Sequence, residues 1–358
     1  VQLRRAGLVE LQRRDDRFHV SDAAAARRRR GLMATEIAST LSELAARLTA
    51  LGARRVLVLA PPSRRYVDEV VGALAAMAPV VFDGARVHVP IEVVEAAAAK
   101  LAESGADTIV AIGGGSAIGL GKALRLLHDV RFVAIPTTYA GSEMTTLYGT
   151  TRGRDKTTGR DPRVRPDIVV YDPALTRSLP IALTVQSLCN ALAHVISCVS
   201  TGSLAGADRD DALAAAARVI RAIEDLLISP TDAAARAEAQ RAASACAVAA
   251  DRGKPGAQHQ LAHLLGGALG VEHAALHAIL LPQFVASLPH VDDLERALGH
   301  TGLAGYLYDL LVRAGAPVAL TALGATEEAL EAALAARPEL PAAIARAALH
   351  GARPSHFG

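Results

Sequence analysis

Apolar residues recur along the first half of the chain in two alternating patterns. Leu41, Leu44, Leu48 and Leu51 fall on one helical face, and Gly52 follows where a helix C-terminus favours glycine. The run VLVLA (56–60) is continuously apolar and bounded by Pro61 and Pro62, the pattern of a strand buried on both faces. The same alternation predicts a helix from about Val67 to Met77, a strand over 80–82, a helix over 91–104 and a strand over 108–112. That strand runs into GGGSAIGLGKAL, and further strands are expected at 131–136 and 167–173. Strand, crossover helix and strand in repetition predict a parallel sheet covered on both faces. Beyond Leu179-Pro180 the strand patterns stop, and Ala- and Leu-rich stretches of helical period run from about Leu183 to Ala352. The reading is an α/β parallel-sheet, dinucleotide-binding domain over 1–180, with an atypical basic N-terminus at 1–32, and an all-α domain over 181–358. Ligands of such sheets bind beyond the carboxyl ends of the strands, so the active site is expected in the cleft between the two domains.

Composition narrows the class. A chain of 358 residues that is 51% hydrophobic suits two ordinary domains with apolar cores. A net charge of +2 gives no bulk attraction to nucleic acid or to an anionic membrane. The arginines cluster locally, at Arg4 and Arg5 and from Arg27 to Arg30, and such runs are ordinarily solvated. No window reads as a membrane span, and no apolar h-region follows the N-terminal arginines. Cys189, Cys198 and Cys246 are odd in number and lack CxxC spacing, so reduced thiols in a cytoplasmic protein are expected. Small-molecule chemistry, without nucleic-acid or membrane partners, is what remains.

The glycine run offers a mechanism. Gly113, Gly114 and Gly115 follow a buried strand, so the backbone can turn sharply and approach a diphosphate, with the N–H groups of the next helix facing the anion. Ser116 adds a hydroxyl, and Lys122 either adds charge or faces solvent. The run is neither GxGxxG nor a Walker loop, and a tight strand–helix turn without ligand is the plain alternative. Thr137 and Thr138 follow the next strand, where a nicotinamide ribose or phosphate could be held. Lys156 and Arg160, in KTTGRDPRV, offer further positive charge.

Two later stretches carry the remaining chemistry, NALAHVISC (190–198) and HQLAHLLGGALGVEHAALHAILLP (259–282). Asn190 and His194 are four apart and share a helix face, as do His259 and His263. With His273 beyond the GG turn, these side chains could converge on one point, and three imidazoles can hold zinc. A single histidine on an apolar helix is ordinarily a packed core residue, which is the reading given to His277 behind His273. Four histidines on two such motifs beside a cofactor loop favour function.

GGGSAIGLGKAL, PTTYAGSEMT, KTTGRDPRVRP, YDPALTRSLP, NALAH and HAALHAILLP, in this order, resemble the iron-dependent alcohol dehydrogenase superfamily, most closely its maleylacetate reductase branch. The resemblance covers about residues 40 to 355. It implies the dehydroquinate synthase-like fold of that superfamily, NADH or NADPH as cofactor, and a homodimer. It puts Asn190 where the wider superfamily has Asp, and His194, His259 and His273 at the other three positions that hold iron or zinc. His263 becomes a proton-relaying neighbour. The branch also has Asn at this place and works without metal, so no metal is expected; were one bound, His194, His259 and His273 would hold it. The implied chemistry is reduction of an enone, or of a related carbonyl. Hydride goes to the β-carbon, imidazole N–H groups steady the enolate, and a histidine supplies the proton.

The departures from the branch are local. Gln260 stands where a lysine follows the first histidine, Ser197 replaces an acidic residue, and RRRG (28–31) replaces an apolar strand of an N-terminal hairpin. Arginines do not occupy a buried strand unpaired, so that hairpin, which commonly serves dimer contacts, is expected to be altered. These changes keep open a changed substrate, even one of secondary metabolism, or a non-redox cyclase, lyase or pseudoenzyme on the same scaffold. A dehydroquinate synthase-type cyclase expects a different glycine loop and an acid- and lysine-rich site. Arg64 and Arg65 follow the strand at 56–60 where an acidic residue would grip an adenosine 2′-hydroxyl, so a 2′-phosphate is expected to be accepted there.

Overall fold

The structure is a computed structural model that describes residues 35–153 and 155–354, apart from the side chains of Asp155 and Lys156. The arginine runs and the altered hairpin lie outside those residues. Six parallel strands form one sheet: β1 (Glu36–Ala38), β2 (Val56–Leu59), β3 (Val80–Phe82), β4 (Thr108–Gly113), β5 (Arg131–Pro136) and β8 (Ile168–Val170). Their spatial order is β1-β8-β5-β4-β2-β3. Because successive side chains alternate, the apolar runs bury both faces. Leu57, Leu59, Ile109, Phe132 and Ala134 pack under α3 (Ile91–Ser104) and α4 (Gly115–Leu127). Val56, Val58, Val110, Ile112, Val133 and Ile135 pack under α1 (Leu41–Ala50) and α2 (Val67–Ala73).

Connections from β2 lead outward to β3, whereas those from β4 lead to β5 on the other side. The crevice beyond the ends of β2 and β4 is therefore the topological switch point, where such sheets bind ligands. Gly113 is in register with Pro136, so the glycine loop and Thr137-Thr138 emerge side by side.

Three elements differ from the sequence reading. The helix expected to Met77 stops at Ala73 and is followed by a 3-10 turn at Ala75–Met77, after which Ala78, at φ 43°, leads into Pro79. The strand expected over 167–173 pairs only over Ile168–Val170, since the chain turns at Asp172-Pro173 and Pro173 has no N–H to donate. Between the strands expected at 131–136 and 167–173, where the apolar pattern predicts no strand, β6 (Leu147–Arg152) and β7 (Asp155–Arg160) form an antiparallel ribbon turning at Gly153.

Helices occupy the chain from Ile181 onward: α5 (Ile181–Ser200), α6 (Gly206–Ile228), α7 (Ala233–Arg252), α8 (Ala257–Leu269), α9 (His273–Ala286), α10 (Val291–Leu298), α11 (Leu303–Arg313), α12 (Glu327–Ala335) and α13 (Ala342–Leu349). Against the expectation that no segment has the length and apolarity of a membrane span, α5 has both. It is instead the central core helix, packed against α6, α7 and α9.

One side chain binds the two parts. Arg236 on α7 is 1% exposed, and its guanidinium donates to the hydroxyls of Tyr139 (3.2 Å) and Thr184 (2.9 Å) and to the carbonyls of Leu179 (3.0 Å) and Pro230 (2.6 and 2.9 Å). A lysine has three rotatable donors in place of the planar fork and cannot span this set. Arg236→Lys is expected to lower the unfolding free energy by about 2–3 kcal/mol, the cost of leaving buried acceptors unmet. Urea titration followed by circular dichroism checks it.

Candidate active site

The glycine bend is open. Gly113 adopts φ 145°, a region that favours glycine, while its neighbour Pro61 crowds the position a Cβ would take at 3.2 Å. A Cβ on Gly114 would lie 3.2 Å from the Thr138 hydroxyl, so that hydroxyl borders the loop. A Cβ on Gly115 would meet nothing within 4 Å, and Gly115 is exposed. Gly114 caps α4, whose first N–H groups, Ser116 among them, are therefore presented to the open space. The Thr137 N–H donates to the Gly113 carbonyl (3.0 Å). The structure thus brings Gly113, Gly114, Gly115, Ser116, Thr137 and Thr138 together. The expectation for Lys156 lies outside the described side chains. Lys122 neither reaches this space nor faces solvent: it is 2% exposed and donates to the Thr145 carbonyl and hydroxyl and to the Leu147 carbonyl. Burial lowers its pKa to about 7.

A residue the sequence reading passed over ties this loop to the histidines. Ser187 Oγ, on α5, accepts the Tyr139 N–H at 3.1 Å, and Asn190 and His194 lie one and two turns further along the same helix.

The histidines converge as predicted. His194 comes from α5, His259 and His263 from α8, and His273 and His277 from α9; neighbouring ring centroids lie 4.3–5.8 Å apart. His263 Nε2 is 2.8 Å from His259 Nε2, and His277 Nε2 is 3.0 Å from His273 Nε2. His277 is a full member of the cluster, contrary to its reading as packing behind His273, and its spacing of four from His273 was the available signal. Gln258, fully buried, sits 3.1 Å from His277 Nδ1 through its amide nitrogen and fixes that ring. Nothing in the residue types of the sequence marked Gln258.

The electrostatics favour uncharged rings. Burial lowers the His194 pKa to about 4 and, with the neighbouring imidazoles, holds His277 well below its ordinary value. As to the metal implied for this superfamily, nitrogens of His194, His259, His273 and His277 lie within 4.8 Å of one another, so four imidazoles are placed to surround a divalent ion. Asn190, 4% exposed with an unpartnered Oδ1, brings no negative charge to such an ion.

Two of the departures have structural roles here. Ser197 Oγ accepts the Gly256 N–H (2.7 Å) at the head of α8, which satisfies a helix terminus and positions His259. Gln260 is exposed and accepts from Arg337 at 3.3 Å, so a cation still stands beside this position. Arg64 is engaged by Asp83 (2.8 Å), and both Arg64 and Arg65 are exposed after β2. All three cysteines are free and buried.

The family model for iron-containing alcohol dehydrogenase matches residues 37–173, and that for the C-terminal part of the Fe-containing alcohol dehydrogenase family matches 184–339. Maleylacetate reductase 1 of Cupriavidus pinatubonensis is 42% identical over 297 residues, 81% of this chain and 84% of that protein. The maleylacetate reductase of Burkholderia cepacia is 41% identical over 82% of this chain and 85% of its own length. Among solved structures, maleylacetate reductase from Agrobacterium tumefaciens superposes with a TM-score of 0.77 at 32% identity, covering 90% of this chain and 98% of that one. The chain therefore belongs to the iron-containing alcohol dehydrogenase family, on its maleylacetate reductase branch, and is an NAD(P)H-dependent oxidoreductase.

Proposed function

We propose that this protein reduces the electron-poor double bond of a maleylacetate-like enone in the cleft between the glycine loop and the histidine cluster. The observation that carries the proposal is the cluster itself: five imidazoles from three helices, with an amide at Asn190, on a helix tied to the cofactor loop through Ser187. Gly113–Ser116 would hold the dinucleotide diphosphate, with Thr137 and Thr138 bordering it. NAD(P)H bound there would supply hydride to the β-carbon of the enone, and the electron pair of the double bond would move onto the ketone oxygen. Imidazole N–H groups of His194 and His273 stabilise that enolate. The α-carbon then takes a proton from protonated His259, which is recharged from solvent through half-exposed His263 across their 2.8 Å contact. The products are the saturated ketone and NAD(P)⁺.

A divalent ion, if bound by His194, His259, His273 and His277, would supply Lewis acidity at the ketone oxygen. The reading favoured here needs none, because neutral donors in a water-poor site suffice for an enolate and Asn190 offers a dication no anion. Arg65, exposed after β2, would meet an adenosine 2′-phosphate, so NADPH is expected to serve as well as NADH. The free, buried thiols accord with a cytoplasmic setting.

Absorbance at the nicotinamide band tests the reading. The purified protein is expected to oxidise NADH or NADPH with maleylacetate and to keep that rate after dialysis against a chelator. No nicotinamide oxidation with any enone would overturn it. His263→Gln is expected to lower kcat on the order of 10²-fold, the usual worth of a positioned proton donor. Arg65→Asp is expected to weaken NADPH about tenfold relative to NADH, read by fluorescence titration. Acid adds a separate test. His194 takes its proton near pH 6.5 when unfolded and near 4 when folded, so the unfolded chain binds more protons between those values. Stability is expected to be full above about 6.5 and to fall as the pH drops toward 4, with His194→Leu flattening that dependence.

A further inference from the structure

Asp251 lies in the last turn of α7, and its carboxylate is 5% exposed. Three segments of the α/β part converge on it. Thr146 donates its N–H (3.0 Å) and its hydroxyl (2.9 Å) to Oδ1, Arg160 donates to the same oxygen (2.9 Å), and Arg165 donates to Oδ2 (3.0 Å). Arg160 also reaches the main-chain carbonyls of Asp251 (2.7 Å) and Gly253 (3.3 Å). One carboxylate thus gathers donors separated from it by 86 to 105 residues.

What stands on either side gives the arrangement its meaning. On the cofactor side, Lys122 belongs to α4, the helix that starts in the glycine loop. Its ammonium holds the Thr145 carbonyl, the Thr145 hydroxyl and the Leu147 carbonyl, so it grips the residues flanking Thr146. On the other side, the chain runs from Asp251 through Gly253 to Gly256, where the Ser197 hydroxyl takes the N–H that opens α8. His259 and His263 follow within the first two turns. A continuous series of charge-assisted and main-chain bonds therefore leads from the dinucleotide helix to the histidine pair.

We propose that Asp251 is a positioning residue that couples occupancy of the dinucleotide loop to the placement of the histidines on α8. The proposal rests on the reading that the nucleotide binds at Gly113–Ser116. Thr146 is the pivot: its N–H and hydroxyl both end on Oδ1, so movement of the 145–147 segment with α4 pulls the carboxylate and the α7–α8 junction with it. The two arginines keep the carboxylate from rotating away. Coupling of this kind is a free energy shared by two sites, so it is visible at the histidine helix when only the nucleotide is added.

Hydrogen–deuterium exchange of the whole protein, with and without NADH, tests it. In the wild type, NADH is expected to slow exchange both at the start of α4 and across 257–263, the latter by about threefold or more. In Asp251→Ala the α4 protection remains and the 257–263 protection is lost. With an enone substrate, the same variant is expected to lose about tenfold in kcat while the nucleotide KM stays within about twofold, as misplaced catalytic groups with intact cofactor binding require. Asp251→Asn, which keeps an acceptor for Thr146, should restore part of both effects. Thr146→Val, which removes only the hydroxyl, provides the same comparison where Asp251→Ala does not fold. Protection of α4 without protection of 257–263 in the wild type, or equal protection of 257–263 in wild type and variants, would overturn the coupling. Absence of protection at α4 would instead remove the nucleotide reading and the coupling with it.

Discussion

The guanidinium of Arg236 is a full charge taken out of water, and among the described residues its hydrogen-bond partners are all neutral oxygens. Such burial is sustainable only if every N–H is directed at an acceptor, which fixes where those acceptors stand. They belong to Tyr139, Leu179, Thr184 and Pro230: the loop after β5, the approach to α5, the first turn of α5 and the approach to α7. Tyr139 in turn gives its N–H to Ser187, and its neighbour Thr138 lies against Gly114. One side chain's need for partners thus holds together the loop that borders the glycine bend and the first histidine-bearing helix.

Among the histidines the governing constraint is crowding of like groups. Five imidazoles with ring centroids a few ångströms apart cannot all carry a proton, and desolvation lowers the pKa of His194 and His277, which favours their neutral forms. Neutral rings are directional donors and acceptors, and the Nε2 atoms of His259 and His263 lie 2.8 Å apart in such an orientation. Asn190 belongs to the same logic. A carboxylate there would draw protons onto the rings, whereas the amide leaves them uncharged. The departures from the branch at Ser197 and Gln260 do not disturb this arrangement, since one completes a helix terminus and the other sits on the exposed face of α8.

Much of this was legible in the sequence. Continuous apolar runs such as VLVLA and TIVAI identify strands covered on both sides, because a half-exposed strand would alternate. The triglycine run announces a backbone bend, and spacings of four put His259 with His263 on one helix face whatever the rest of the chain does. Shorter signals failed. The three residues of β1 carry too little pattern to register, and the polar residues of the β6–β7 ribbon form no apolar run to mark a strand. The uncharged length of α5 was missed as well, a helix whose composition would suit a bilayer and whose surroundings are protein.

What the sequence by itself determined is local: the period of each element, the glycine bend, the side-chain chemistry available and the family it resembles. Those properties depend on neighbours within a few residues, which the chain order displays directly. Only the tertiary structure decided that His277 joins the cluster, that Gln258 fixes its ring, that Lys122 turns inward, and that Asp251 collects Thr146, Arg160 and Arg165. Each of these is a contact between segments distant in sequence or a consequence of burial. Burial is a property of the packed whole, and no residue carries it before the chain has closed around it.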